Sequence, residues 1–409
     1  MEKTIFILFC FLVLNLFDFK NLQALRPAYP FFMVYFIIYL FSYKVKRKAT
    51  FSSHKNVLWI AISVVISSIL GITYWGQQLI DVLKGSISSL TIICMYFFLK
   101  RSRMEEAFII KYLLIFTIIW GAIEWLQQIT YPRVYFQGRE NIEFRMGLYR
   151  YYITGVHFAI IILLYYISRF ATSTVKRRQS LLLWLIALIS IIGFVSRKQI
   201  YASILCSGIA FFAVRGRGKA LIVVGLVSAF GIGLSFLSDI MADLNDQTFS
   251  ELNDDDFIRL RASIYFLYEF SDSPVYYLFG IGPAFGTSGI GAEIQYLQEI
   301  QKMYRADCGF VGYFTSYGIF GCLVFIIPIV RTLCQWRKIE LWHKLYLLYF
   351  SVMITMAFCG NSNVGLFSFV LFLYFVELNI NKNENRICRK QSKGGVFCPY
   401  RQKNFTTEQ

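Results

Sequence analysis

The stretch LLLWLIALISIIGFVSRKQIYASILCSGIAFFAV, residues 181–214, decides how the chain is arranged. It is apolar almost throughout, and its main interruption is the polar segment Ser196, Arg197, Lys198 and Gln199. As a single helix it would be about 51 Å long, whereas the hydrocarbon core of a bilayer is about 30 Å thick. We therefore expect two helices joined by a turn at the polar segment.

The composition of the whole chain indicates a membrane protein. Of its 409 residues, 57% are hydrophobic and only 16% are charged, whereas soluble domains carry about 25% charged residues. The net charge of +17 does not indicate a nucleic-acid partner. The Lys and Arg residues instead fall in short clusters between apolar runs. In membrane proteins such clusters orient the helices.

Apolar runs of similar length recur on both sides of this stretch, and each predicts a membrane-spanning helix. They lie near residues 4–17, 28–43, 57–73, 79–99, 107–126, 150–168, 181–195, 200–214, 220–237, 309–330, 343–359 and 364–379. The predicted fold is an all-α polytopic integral membrane protein with about 12 transmembrane helices in a single domain, residues 1–379. The polar residues 380–409 predict a disordered cytoplasmic tail.

The distribution of positive charge predicts the orientation. With both termini in the cytoplasm, 27 Lys and Arg residues fall on cytoplasmic segments or at adjoining helix ends, and 13 fall on outer segments or at adjoining helix ends. This distribution agrees with the positive-inside rule. This orientation places one large loop, residues 238–308, on the outer face between helices 9 and 10. Loops of that length with structure of their own are often functional.

Three polar constellations would face outward. In the first, Arg197 and Lys198 precede a helix whose free N–H groups also attract anions, so the pair predicts a phosphate site. The alternative is that both side chains only reach toward lipid headgroups. In the second, DDDFIRLRASIYFLYEF at 254–270, Arg259 and Arg261 would point about 200° apart on a helix, and we select Arg261 for the site.

The acidic run that opens the second constellation, residues 254–256, predicts a solvated helix start, with Mg²⁺ binding as the alternative. The third constellation joins YYLFGIGPAFG at 276–286 to ADCGFVGYFTSYGIFG at 306–321. Asp307 stands at the mouth of an apolar helix, where it is either a functional carboxylate or a helix N-cap. Apart from this Mg²⁺ alternative we expect no cofactor. A zinc site is not expected, because the three histidines are far apart and lack Cys neighbours at ligand spacing.

Together these motifs resemble the O-antigen polymerase and ligase superfamily over roughly residues 180–330. The resemblance implies an enzyme of the bacterial inner membrane that transfers glycan from an undecaprenyl-diphosphate carrier to a sugar hydroxyl, without a metal or a nucleotide sugar. It also implies membrane lipids, a chain-length regulator and a flippase as partners. Ligases of this group carry a histidine late in the large outer loop. Residues 238–308 contain none, so the polymerase of lipopolysaccharide O-antigen or capsule is the expected member.

The reaction assigns roles to the residues of the three constellations. Fixed cations must meet the charge that develops on the leaving diphosphate, and we assign this to Arg197 and Arg261. A carboxylate must accept the proton of the attacking hydroxyl, and we assign this to Asp307. Further candidates for substrate binding are Lys198, Arg259, Arg305, Gly280 and Gly282, and alternative bases are Glu293, Glu299 and Asp272.

A secondary transporter or a lipid-linked glycan flippase is the alternative class of function. Such proteins also have about twelve helices, but they place substrate at the membrane midplane and often contain internal repeats. In this chain the polar residues gather in one outer loop instead, and Lys111 is the clear mid-helix charge.

Overall fold

The computed structural model describes most of the chain. The described residues are 1–14, 28–42, 52–136, 142–145, 147–151, 155–173, 175–214, 258–284, 286, 288–354 and 358–393. Two predictions lie outside them. These are the span near 220–237 and the first part of the large loop, including the acidic run 254–256.

Within the described residues the fold is built of helices and one short β-hairpin. The first eight helices are α1 (Glu2–Leu14), α2 (Ala28–Ser42), α3 (His54–Thr73), α4 (Leu79–Ser102), α5 (Glu106–Thr130), α6 (Val156–Thr172), α7 (Arg177–Gly193) and α8 (Arg197–Phe212). The others are α9 (Ile258–Ile264), α10 (Pro274–Phe279), α11 (Ile290–Glu299), α12 (Phe310–Cys334), α13 (Leu341–Met353) and α14 (Asn363–Lys393). Strands β1 (Glu143–Arg145) and β2 (Leu148–Arg150) pair antiparallel.

The chain is an all-α membrane protein. Helices α3, α4, α5 and α12 and the Asn363–Glu384 part of α14 are each long and apolar enough to cross a bilayer, and shorter apolar helices occupy Ala28–Phe41 and Val156–Thr172. Each predicted apolar run within the described residues coincides with one of the helices, to within a few residues at most ends. The agreement follows from the requirement that a backbone in hydrocarbon satisfy its own hydrogen bonds.

The decisive stretch folds as a helical hairpin, as predicted. Helix α7 ends at Gly193 and α8 begins at Arg197. The Trp184 indole donates to the Ser207 hydroxyl over 3.1 Å, so the two helices run antiparallel. Val195 in the turn has a φ of 54°, a value that β-branched residues rarely adopt.

Short connections and contacts between distant segments define two ends of the helix bundle. We call the end with Thr73, Leu79, Gly193, Arg197 and Phe310 the loop end, and the opposite end the tail end. At the tail end, Lys100 forms a 2.7 Å ion pair with the buried carboxylate of Glu377, which also accepts from the Ser53 amide over 3.0 Å. These contacts fasten α14 to α4 and to the start of α3.

The structure differs from the sequence prediction at three boundaries, and one of them is the end of α13, which lies at Met353 rather than near residue 359. The span predicted from residue 150 begins only at Val156, because the preceding residues form the hairpin β1–β2. Helix α14 continues past residue 379 to Lys393, where a disordered tail was expected. The reason is packing: Ile380 is fully buried, Asn383 donates to the carbonyl of Lys338, and Glu384 pairs with its ammonium.

Helix α12 is interrupted near its loop end, and a loop fills the interruption. Gly318 has φ 62° and ψ −168°, so the carbonyls of Thr315 and Ser316 cannot bond along a regular helix. They accept instead from the amides of Ile281 and Gly282, each over 2.9 Å. We call residues 276–284, which are the last part of α10 and the irregular segment after it, the docked loop. The glycines of the irregular segment, Gly280 and Gly282, pack against the backbone of α12 and α3.

The described part of the predicted large loop has its own apolar core. The buried residues are Ala262, Phe266, Tyr276, Ile281, Ile294, Leu297, Met303 and Cys308. They come from α9, the π-helical turn Tyr265–Glu269, α10, α11 and the 3₁₀ turn Arg305–Cys308. This core holds the polar residues of the loop against the ends of the membrane helices.

Candidate functional site: a cationic cluster at the loop end

The charges of three side chains from separate chain segments act on a fourth side chain, that of Lys198, at the loop end. Lys198 lies in the first turn of α8, ahead of the apolar run 200–214. The charges of Arg259 on α9, Asp307 on the 3₁₀ turn and Arg150 on β2 all act on its ammonium. We call Arg150, Lys198, Arg259 and Asp307 the loop-end cluster. It contains three cations and one carboxylate.

The surroundings of Lys198 disfavour the charged form of its ammonium. Burial is the main cause, and it lowers the pKa of Lys198 from its usual value to about 8, with Arg259 and Arg150 lowering it further and Asp307 opposing them. Lys198 is half-buried, and a half-buried cation in the field of two other cations is stabilised by an anion that binds there. The cluster is therefore suited to a phosphate group.

Asp307 does not cap helix α12. The N-cap residue is Gly309, and no side chain caps the helix. The Phe310 amide donates to the carbonyl of Ile354 over 3.0 Å, and Asn361 donates to the Gly309 carbonyl over 2.6 Å. Asp307 itself is exposed at the surface of the 3₁₀ turn. The capping alternative is thus wrong, and the carboxylate is available for another role.

Cys308 shows that the Asp307 turn and α9 are in contact. The thiol is buried, which raises its pKa, while a hydrogen bond from Ser263 and the charge of Arg259 lower it. Both residues belong to α9. The contact brings the arginine-bearing helix against the turn that carries Asp307.

Arg305 lies at the start of the same turn and is half-buried. Its guanidinium donates to the Ser316 hydroxyl over 3.3 Å and to the Ala284 carbonyl over 3.2 Å. Burial lowers the pKa of Arg305 to about 10, and the nearby Tyr317 and Tyr276 oppose this effect. At neutral pH the side chain remains a cation that is held by neutral acceptors.

The remaining predicted cations occupy the same two helices. Arg197 is half-buried as the first residue of α8, next to Lys198 along the chain, and Arg261 is exposed on α9. Arg259, rather than the selected Arg261, is the arginine of α9 whose charge acts on both Lys198 and Cys308. The assignment of Arg197 and Arg261 to the leaving group stays a prediction.

Gly280 and Gly282 have a structural reason to be glycine. Both have positive φ angles, 70° and 78°. A Cβ atom on Gly280 would lie 2.4 Å from the carbonyl carbon of Ser316, and one on Gly282 would lie 2.5 Å from the carbonyl oxygen of Ser67. Their predicted contact with substrate stays untested, because this close packing alone accounts for both residues.

The alternative bases lie on other elements. Glu293 and Glu299 are exposed on α11, and Glu299 accepts from the Gln295 amide over 2.8 Å. Asp272 is exposed in the segment before α10. Asp307 is the acidic residue whose charge acts on Lys198, which favours it over these three.

The sequence prediction missed two residues, one that belongs to the cluster and one beside it. Arg150 ends β2, and His157 lies in the first turn of α6 within the field of Lys198. His157 also lines a cavity of about 10 Å³, roughly the space of one water molecule, together with Tyr349 and Cys359. The available signal was a pair of ionisable residues at the start of the apolar run 150–168.

The described residues contain no group of three His, Cys, Asp or Glu side chains that could hold a metal ion. No family model and no curated protein matches this chain. The fold and the cluster therefore define the class of protein on their own. It is an all-α membrane protein with a cluster of three cations and one carboxylate at one end of its helix bundle.

Proposed function

We propose that this protein is a polysaccharide polymerase that elongates lipid-linked glycan. Its donor is an oligosaccharide on undecaprenyl diphosphate, and its acceptor is a sugar hydroxyl of another lipid-linked repeat unit. The observation that carries the proposal is the loop-end cluster, in which the charges of Arg259, Arg150 and the Asp307 carboxylate all act on Lys198. The resemblance of the motifs between residues 180 and 330 to O-antigen polymerases supplies the substrate class.

The cations of the cluster would stabilise the leaving group. When the bond between the anomeric carbon and the diphosphate oxygen breaks, negative charge accumulates on that oxygen. Arginine can bind phosphate through two parallel hydrogen bonds and stays protonated throughout. We assign this role first to Lys198 and Arg259. Arg197 and Arg261 lie on the same two helices, α8 and α9, and Arg150 lies on β2.

Asp307 would act as the general base. The acceptor hydroxyl oxygen attacks the anomeric carbon, and its proton passes to the Asp307 carboxylate as the new glycosidic bond forms. The lipid diphosphate leaves with the electron pair of the broken bond, so the step needs no metal, nucleotide or redox partner. The exposure of Asp307 suits contact with a large glycan.

The reaction fixes the orientation and the partners that we propose. The loop end faces outward from the bacterial inner membrane, and both termini lie in the cytoplasm. The substrates reach the cluster from the outer leaflet, after a flippase has delivered them, and a chain-length regulator limits the product. Nucleic acid has no part in this function.

The interruption of α12 is the observation that would favour a transporter, because transporters often bind substrate at broken helices. In this protein the carbonyls freed by the break, those of Thr315 and Ser316, already accept hydrogen bonds from the docked loop. These carbonyls therefore already have hydrogen-bond partners without a transported substrate. The polymerase proposal uses the charged residues that the transporter alternative leaves without a role.

The test is the lipid-linked glycan of cells that lack the protein. A polymerase predicts single repeat units stranded on the carrier, with long chains restored by the intact gene. Long chains that never reach an acceptor would indicate a ligase instead. Repeat units confined to the inner leaflet would indicate a flippase.

A further inference from the structure

The docked loop and the Asp307 turn are joined by one side chain. Arg305 lies two residues before Asp307, and its guanidinium binds the Ala284 carbonyl at the end of the docked loop and the Ser316 hydroxyl at the break of α12. A Cβ atom on Gly312 would lie 1.9 Å from the Arg305 carbonyl oxygen. The turn therefore rests directly on the first part of α12.

The position of the docked loop is itself fixed from several sides. The Ser67 hydroxyl of α3 donates to the Phe279 carbonyl over 2.7 Å, and the Trp75 indole donates to the Gly280 carbonyl over 3.1 Å. On the opposite side, the amides of Ile281 and Gly282 bind the carbonyls at the break. The loop is thus held between two membrane helices.

A glycine at the break makes this docking possible. A Cβ atom on Gly318 would lie 2.3 Å from the carbonyl carbon of Leu278 and 2.4 Å from the amide nitrogen of Phe279. Because backbone atoms cannot move aside as a flexible side chain can, any larger residue would push the loop out of the break. Loop, break and Arg305 therefore form a single connected support.

We propose that this support positions the base of the reaction, with Arg305 and Gly318 as positioning residues for Asp307. The inference rests on the proposed glycan transfer. In this inference Arg305 does not bind substrate. Its guanidinium forms two hydrogen bonds to neutral groups, and these bonds hold the 3₁₀ turn in place. Misplacement of a reacting group by about 1 Å costs about 10²-fold in rate.

The position of the turn can be measured without any substrate through Cys308. This thiol is next to Asp307 and is 4% exposed. In a variant whose only cysteine is Cys308, the rate of alkylation by a membrane-permeant maleimide in isolated membranes reports how often the turn opens. The test compares Gly318→Ala and Arg305→Lys with the control Gly208→Ala. Gly208 on α8 has no atom within 4 Å of an added Cβ.

The inference predicts that Gly318→Ala and Arg305→Lys each raise the alkylation rate of Cys308 roughly tenfold. Lysine keeps the charge but cannot make two hydrogen bonds in the fork geometry of arginine. Both variants should lower kcat about 10²-fold while the KM for the lipid-linked donor changes less than about twofold. The Gly208→Ala control should match the parent in both measurements.

An unchanged alkylation rate in Arg305→Lys, with a raised donor KM, would overturn the inference and make Arg305 a substrate ligand. If Gly318→Ala does not accumulate in the membrane, Arg305→Lys alone decides between these outcomes. Failure of the parent protein to transfer glycan would refute the proposed function instead. The alkylation rates would still show whether the loop holds the turn.

Discussion

The charge of the Asp307 carboxylate favours the protonated form of Lys198, although the two residues come from distant parts of the chain. It is the opposing charge in a cluster where burial, Arg259 and Arg150 all disfavour the protonated lysine. This relationship joins the helical hairpin α7–α8 to the turn before α12. It also gives the proposed transferase a base and a set of cations in one place.

Removal of a cluster cation should weaken donor binding and slow the transfer. We expect Lys198→Ala and Arg259→Ala each to reduce kcat/KM for the lipid-linked donor by about 10²-fold, since each removes a cation that meets the leaving diphosphate. The measurement is donor turnover by purified protein in vesicles. The matched control is Arg133→Ala, which removes an exposed cation near the end of α5 and should change turnover less than about twofold.

The pH dependence of the donor KM should report the charge of Lys198. Its pKa of about 8 means that the ammonium is protonated at pH 7 and largely neutral at pH 9. Donor affinity should therefore fall as the pH rises through 8, with KM increasing several-fold between pH 7 and pH 9. Lys198→Arg should abolish this rise, because arginine keeps its proton. An unchanged alkaline profile in that variant would exclude Lys198 as the titrating group.

The ion pair Lys100–Glu377 should stabilise the fold more than the less buried ion pair Lys338–Glu384 does. Glu377 is almost fully buried beside Lys100, so Glu377→Ala leaves a cation without its partner and should cost about 3 kcal/mol. In the pair Lys338–Glu384 the lysine side chain is 42% exposed and the glutamate side chain 11% exposed. Water therefore screens this pair more, and Glu384→Ala should cost about 1 kcal/mol. Denaturation in detergent micelles checks both values. Equal losses would contradict the distinction.

The proposed orientation can be tested with a reporter that is active only outside the cytoplasm. Fusion after Gly147, in the exposed turn between β1 and β2, should give an active reporter. Fusion after Lys338, at the tail end next to Glu384, should give an inactive one. The reverse result would place the cluster in the cytoplasm, out of reach of an outer-leaflet glycan.

Much of the fold could be predicted from the sequence, because a helix in a bilayer must be apolar over its whole length. The hairpin α7–α8 follows from this rule alone. The hairpin β1–β2 could not be predicted in this way, since its three-residue strands carry too little pattern. The helical continuation of α14 was also missed, because Ile380 is buried by tertiary contacts that a polar composition does not reveal.

The site could be predicted only as a set of separate segments. Charged residues at the ends of apolar runs indicated Lys198 and Asp307, and the stretch 254–270 indicated Arg259. The sequence does not show which of these charges act on one another. The preference for Arg261 over Arg259 rested on helical geometry, which separates the two residues without showing which faces the cluster. The docking of Ile281 and Gly282 at the break of α12 depends on hydrogen bonds between backbone atoms. Such bonds can form with almost any side chain, so the glycines are the signal for this docking in the sequence.

The central claim is that Asp307 accepts the proton of the attacking sugar hydroxyl, and Asp307→Asn tests it most directly. Asparagine keeps the size and hydrogen-bonding shape of the side chain but cannot serve as the base. The measurement is the rate of chain elongation in purified membranes supplied with a lipid-diphosphate-linked repeat unit. The account predicts a fall of roughly 10²-fold or more in kcat with donor KM nearly unchanged. Near-normal elongation by Asp307→Asn would contradict it.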